Sequence, residues 1–180
     1  MKKTFQKKIS GDHFGFTMVE TIFYLTFLVI LLGIMIAMVV SLSKTYQTIQ
    51  ANKNLESSAV FSLERITREI RNSTSVDVTR SALATSTSGV LTLNTTDSSG
   101  AAEIIKFYLA TSTGAVLIDV NGSYFGPLTL SGVKATQLQF RLATSTNSQA
   151  VKIDLTLKSN FGGASTTKNF YTTAVLRSSY

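Results

Sequence analysis

The chain has 180 residues, one histidine, no cysteine and a formal net charge of +7. Without cysteine it can form no disulfide, offers no thiol nucleophile and has no attachment point for a lipoprotein anchor, so its stability must come from an apolar core. The first fifteen residues supply +3 of the +7, through Lys2, Lys3, Lys7 and Lys8 against Asp12; a charge excess concentrated at one terminus argues against specific nucleic-acid binding.

From Thr21 to Ser43 the chain runs 23 residues without a charge, and only Thr21, Thr26, Gly33, Ser41 and Ser43 are not apolar. As a helix this stretch reaches about 34 Å, enough to cross a hydrocarbon core of about 30 Å. It is longer than the apolar part of a secretory signal, and no Ala-x-Ala cleavage site follows it. The lysines before it predict a cytoplasmic N-terminus, with everything after Lys44 outside. One residue does not suit a plain anchor: Glu20, a carboxylate at the mouth of the apolar run. Carboxylates inside a membrane are costly and usually functional.

Gly15-Phe16-Thr17-Met18-Val19-Glu20, with a basic leader before it and an apolar helix after it, resembles the N-terminal signature of type IV pilins and type II secretion pseudopilins. The resemblance implies cleavage between Gly15 and Phe16 by a membrane prepilin peptidase on the cytoplasmic side, followed by N-methylation of Phe16. It also implies that Glu20 pairs with the Phe16 amine of a neighbouring subunit during filament assembly. The physical chemistry is compatible. Glycine before the scissile bond lets an extended backbone lie close to a protease, and cleavage frees an amine that is cationic at neutral pH. In the membrane that amine needs a counter-charge, and Glu20 is one helical turn away. A pair within one chain is sterically allowed too.

The next segment, Lys44 to Asn72, has neither proline nor glycine. Leu55, Ala59, Leu63, Ile66 and Ile70 recur at steps of three or four and predict one apolar stripe. Glu64–Arg68 and Arg65–Glu69 are spaced as i,i+4 ion pairs on the exposed side. A single helix is therefore expected from Phe16 to about Asn72, lipid- or subunit-facing in its first half and packed on a sheet in its second. Many major pilins carry a proline inside the apolar helix. Gly33 to Ser41 has none, and Gly33 is its weak point, which leans toward a minor pilin or pseudopilin. The stretch "LERITREIRNS" and the strands beyond it resemble those of J-type minor pseudopilins and large minor pilins.

After Asn72 the period becomes two. Val90–Leu93, Glu103–Leu109, Ala115–Val120, Gln137–Leu142, Val151–Leu157 and Asn169–Leu176 read as strands rich in β-branched and aromatic residues. Ile153, Leu155 and Leu157 are expected to point inward. Asn121-Gly122 is a hairpin signal, and Pro127, the single proline, is expected in a connecting loop. The tetrapeptide Ala-Thr-Ser-Thr begins at Ala84, Ala110 and Ala143 at unequal spacing, which is not a solenoid period and reads as turn sequence. The expected fold is α+β: a long N-terminal helix packed on a C-terminal antiparallel sheet. The expected organisation is a leader at 1–15, a membrane and assembly helix at 16–43, its amphipathic continuation at 44–72 and an extracytoplasmic β-rich domain at 73–180.

Catalytic chemistry has little to work with. His13 lies in the leader, and Asp77, Asp97, Glu103, Asp119 and Asp154 are scattered. Asp97 with Asn94 would be a one-carboxylate calcium loop, short of what calcium needs. No cofactor, metal or enzymatic activity is expected, and the sequons at Asn72, Asn94 and Asn121 are assigned no role. The expected product is a structural subunit of a pilus or secretion pseudopilus, with other pilin subunits, the prepilin peptidase and the cytoplasmic membrane as partners. The alternative is a membrane-anchored extracytoplasmic binding module that never polymerises. DNA binding through Lys152, Lys158 and Lys168 is a minor variant, since those lysines also serve solubility.

Overall fold

The computed structural model describes residues 15, 17–83, 88–145 and 148–176. The expected leader before Gly15, the Phe16 side of the expected cleavage site and the Ala-Thr-Ser-Thr beginning at Ala84 lie outside the described residues. The chain divides into two compact units, one ending at Ser43 and one beginning at Lys44.

A single helix, α1, runs Met18–Asn72, and its first part makes up the described portion of the first unit. Throughout that part the apolar side chains are exposed, and the helix passes through Gly33 without a break. The hydroxyls of Thr21 and Thr26 donate to the carbonyls of Met18 and Ile22, each at 2.8 Å. Polar side chains on an apolar helix are thereby satisfied by the helix itself.

In the second unit, α1 from Lys44 onward packs on two antiparallel sheets. Strands β1 (Ser75–Val76), β2 (Val90–Thr96), β3 (Ala102–Ala110), β4 (Ala115–Val120) and β5 (Ser123–Pro127) form one sheet in that order. Strands β6 (Val133–Thr144), β7 (Gln149–Phe161) and β8 (Ala164–Val175) form the other. All six expected strands are present, and the helix-on-sheet α+β layout holds. Two details differ from expectation. There are two sheets rather than one, joined where the Gly89 amide donates to the Leu138 carbonyl (2.7 Å) and the Ala135 amide to that of Gly114 (2.6 Å). Pro127 ends β5 rather than sitting in a loop, at a sheet edge where a missing N–H costs no ladder bond. The β4–β5 turn is the expected hairpin: Asn121 and Gly122 both have positive φ, 53° and 79°, as a two-residue primed turn requires.

The core gathers Leu55, Ala59, Ile66 and Ile70 of α1 with Leu91, Leu93, Ile105, Phe107 and Ile118 of the first sheet and Leu138, Phe140, Ile153, Leu155 and Leu157 of the second. Each fully buried aliphatic or aromatic side chain contributes about 1.5–3 kcal/mol relative to exposure. The expected stripe is displaced by a fraction of a turn: Leu63 is half-buried, while Ala51, Ser58 and Ser62 are fully buried. Small side chains there let the helix approach the strands closely. The Ser62 hydroxyl donates to the Leu128 carbonyl (2.9 Å), and the Ser58 hydroxyl accepts from the Leu130 amide (3.0 Å). The two serines thus tie the β5–β6 connection to α1.

Candidate functional site

The candidate site begins where α1 begins. Thr17 stands just before the first helical residue, and its hydroxyl accepts a hydrogen bond from the Glu20 amide at 3.3 Å. Thr17-Met18-Val19-Glu20 is thus an N-terminal cap of the Thr-x-x-Glu kind, in which the side chain before the helix satisfies an amide that has no partner within it. Glu20 is the acidic residue of the first turn, where negative charge meets the positive end of the helix dipole. Its carboxylate also accepts from the Tyr24 hydroxyl at 3.3 Å, one turn further on. Neither Thr17 nor Tyr24 was assigned a role from sequence, although the capping spacing was legible there.

Gly15 is exposed, with open space where a side chain would stand. Beyond Glu20, every residue from Thr21 to Ser43 is exposed. Among the described residues one helix is long and apolar enough to cross a membrane, and so continuous an exposed apolar surface is of the kind that marks contact with lipid or with another protein. The arrangement presents an apolar rod whose only charge is a carboxylate at its head.

The remaining candidates do not converge. Lys152 and Lys158 lie on the outer face of β7, whereas Lys168 sits opposite Leu157 on the inner face. Lys168 is held by Glu56 at 2.7 Å. Lys152 is 3.6 Å from Asp154 and 5.6 Å from the Tyr171 ring centre. They make no single basic patch. Of the two expected helix pairs, Arg65–Glu69 closes at 3.0 Å with Glu69 mostly shielded, and Arg65 also stands 6.0 Å over Phe125.

Asp97 is occupied by its own turn. One carboxylate oxygen accepts from the Ser99 hydroxyl (2.6 Å), the Ser99 amide (2.8 Å) and the Ala101 amide (2.9 Å). These bonds, the hydroxyl's first, hold its carboxyl below the usual carboxylate range. Asn94, its supposed companion, donates instead to Ser75. Among the described residues no three His, Cys, Asp or Glu side chains cluster as a metal site.

A cleft of about 620 Å³ lies on the outer face of the first sheet, lined by Arg80, Thr92, Ile104, Lys106, Asp119 and Asn121. Its polar groups are largely engaged. Asp119 accepts from the Tyr108 hydroxyl at 3.3 Å, Lys106 lies 5.0 Å over the Tyr108 ring, and the Asn121 side-chain carbonyl accepts from the Ile104 amide. Burial, and then the Asp119 charge, pushes the Tyr108 phenol above its usual value. No nucleophile in the cleft is paired with a general base. Compared with protein-family models, with curated proteins and with solved structures, the chain matches none.

Proposed function

We propose that this chain is a structural subunit of a type IV pilus or type II secretion pseudopilus, of the minor pilin or pseudopilin kind. In this reading it enters the cytoplasmic membrane once, with its lysine-bearing N-terminus cytoplasmic and residues beyond Ser43 extracytoplasmic. Prepilin peptidase cuts between Gly15 and Phe16, Phe16 is N-methylated, and the subunit joins a filament by packing its apolar helix against other subunits. Glu20 receives the Phe16 amine of a neighbour. The observation that carries the reading is the single carboxylate in the first turn of the helix, ahead of the uncharged and exposed stretch Thr21–Ser43 and one turn after a Gly-Phe pair.

Glu20 fits a docking role because a buried ion pair contributes little net stability but fixes the register between helices. Removing one partner strands the other charge at a cost of about 3–5 kcal/mol. The test has two parts. Mass spectrometry of protein purified from its own membranes should show a chain beginning at an N-methylated Phe16. The Glu20→Ala variant should be processed normally but be lost from sheared filaments. A mature chain beginning at Met1, or a variant assembling as efficiently as wild type, overturns the reading.

A second reading, the non-polymerising single-pass anchor, is favoured by the Tyr24 hydrogen bond, which gives the Glu20 carboxylate work inside its own helix. It predicts that Glu20→Ala costs about 0.3–1 kcal/mol of helix stability through the dipole term and changes nothing else. It also predicts an uncleaved leader.

A further inference from the structure

Among the described residues, both edges of the first sheet and the Ala135–Leu138 part of the β6 edge are blunted, and the β8 edge is not. In the first sheet, β1 has two residues and β5 five, the latter bulged opposite Ile118/Asp119 and ended by Pro127. The free side of β6 is engaged at Ala135 and Leu138 by Gly114 and Gly89. Short length, bulges, proline and covering contacts are the usual protections of an edge. The edge of β8 has none of them. It runs 12 residues, without proline, in a bulge-free register with β7 from Ala150↔Val175 to Phe161↔Ala164. Its one charged residue, Lys168, lies on the inner face and is neutralised by Glu56.

The phase of the ladder shows which groups are free. The Leu176 amide donates to the Gln149 carbonyl at 3.0 Å, and in an antiparallel pair hydrogen-bonded positions recur every second residue. Even-numbered residues of β8 therefore turn their amides and carbonyls to β7. Ser165, Thr167, Asn169, Tyr171, Thr173 and Val175 turn theirs outward, and among the described residues none of these six has a hydrogen bond on that side. Beside the same edge, α1 leaves an open groove of about 750 Å³, lined by Val60, Leu63, Glu64, Arg68, Arg71 and, on β8, Tyr171. Its charged lining is two guanidiniums against one carboxylate.

We propose that the β8 edge and this groove form a docking site for an extended, carboxylate-bearing segment of a partner protein, bound by strand addition. The partner's backbone would pair with the six outward positions, and alternate side chains would drop beside α1, where Arg68 and Arg71 meet acidic groups. A second copy of this chain brings the same cationic flank to the contact, so charge favours a different chain. The site lies wholly within residues 44–176 and goes beyond the assembly reading, standing whether the protein polymerises or only anchors.

The test uses the full chain in detergent micelles and a fluorescein-labelled decapeptide of alternating valine and aspartate. Its counterparts are a valine–lysine peptide and a valine–aspartate peptide N-methylated at alternate amides. The aspartate peptide should saturate below about 1 mM, and the N-methylated one should bind at least about tenfold more weakly. The lysine peptide should bind about fivefold more weakly at low salt, the difference shrinking as salt rises. On binding, amide exchange at the six outward positions should slow at least about tenfold, with the even positions little changed. Thr173→Pro removes one outward N–H without touching the β7 ladder and should weaken binding by about tenfold. Failure to saturate, equal binding of the N-methylated peptide, or binding without protection of the six amides overturns the proposal. So does a peptide-free dimer in which those amides are already slow, because the edge then belongs to a second copy. The exchange measurement needs no variant, so a misfolded Thr173→Pro leaves the proposal testable.

Discussion

Ser62 offers a direct test of how α1 is held to the sheets. Its hydroxyl and the Leu128 carbonyl that accepts its hydrogen bond belong to residues that are 0% and 5% exposed, so water cannot replace the bond. Ser62→Ala leaves that carbonyl with a lost partner in a dry place, at a cost of about 1–3 kcal/mol. Against this, alanine is the better helix former by about 0.5 kcal/mol, so the net loss should be about 1–2 kcal/mol. Ser58 makes the converse bond to the Leu130 amide, and Leu130 is 48% exposed. Water can serve that amide after Ser58→Ala, and the loss should stay below about 1 kcal/mol. Because both serines hold one short segment, the double variant should not equal the sum of the singles. Urea titration of residues 44–180, followed by far-ultraviolet circular dichroism, measures all three, with an unchanged m-value showing that stability alone has moved. A Ser62→Ala variant as stable as the parent, or a Ser58→Ala variant that loses more than Ser62→Ala, would refute the reasoning.

Gly89→Ala should cost about 1–3 kcal/mol, since a Cβ there meets the Leu138 carbonyl at 2.9 Å and the Phe140 ring at 3.1 Å; Gly33→Ala, with open space around it, should leave thermal unfolding of the second unit unchanged. Asp77 is held below the usual carboxylate range, chiefly by the Arg80 amide and then the Thr79 hydroxyl, and Asp97 by the bonds of its own turn. The native state therefore holds fewer protons than the unfolded chain just below about pH 4, so these groups' stabilisation is present above that pH and lost as pH falls through their lowered native values. Carbon NMR titration should place both midpoints below the ordinary aspartate value, and Asp97→Asn should flatten the acid limb of the stability curve. Tyr108 shows the opposite sign: its raised phenol keeps a proton that the unfolded chain gives up, so its contribution is lost as pH rises past about 10. An ultraviolet titration of Asp119→Asn should show the Tyr108 midpoint fall only part of the way back, because burial is the larger cause.

Much of this architecture was legible in the chain because it rests on local periodicity. The uncharged run Thr21–Ser43, the stripe through Leu55, Ile66 and Ile70, and the alternation around Ile153, Leu155 and Leu157 are patterns that one element imposes on its own residues. The αL demand at Asn121-Gly122 is local as well. So is the cap at Thr17, whose Thr-x-x-Glu spacing makes Glu20 the third residue of the helix as well as a charge. The split into two sheets, and the burial of Ser58 and Ser62 in place of Leu63, are not local. They depend on which surface each element meets, and a serine has the same helical pattern whether it faces water or a carbonyl from a strand connection. Pro127 likewise reads as a breaker until a sheet edge supplies a place where its missing N–H is harmless.

The sequence by itself determined the apolar helix, its single carboxylate and the six main strands, since each is a repeat set by backbone geometry. Tertiary structure alone decided which edge of which sheet stays unpaired, that Lys168 lies on the opposite face of its sheet from Lys152 and Lys158, and that Asp97 is spent on its own turn. Those outcomes follow from residues far apart in the chain meeting in space, and no short-range pattern encodes such a meeting.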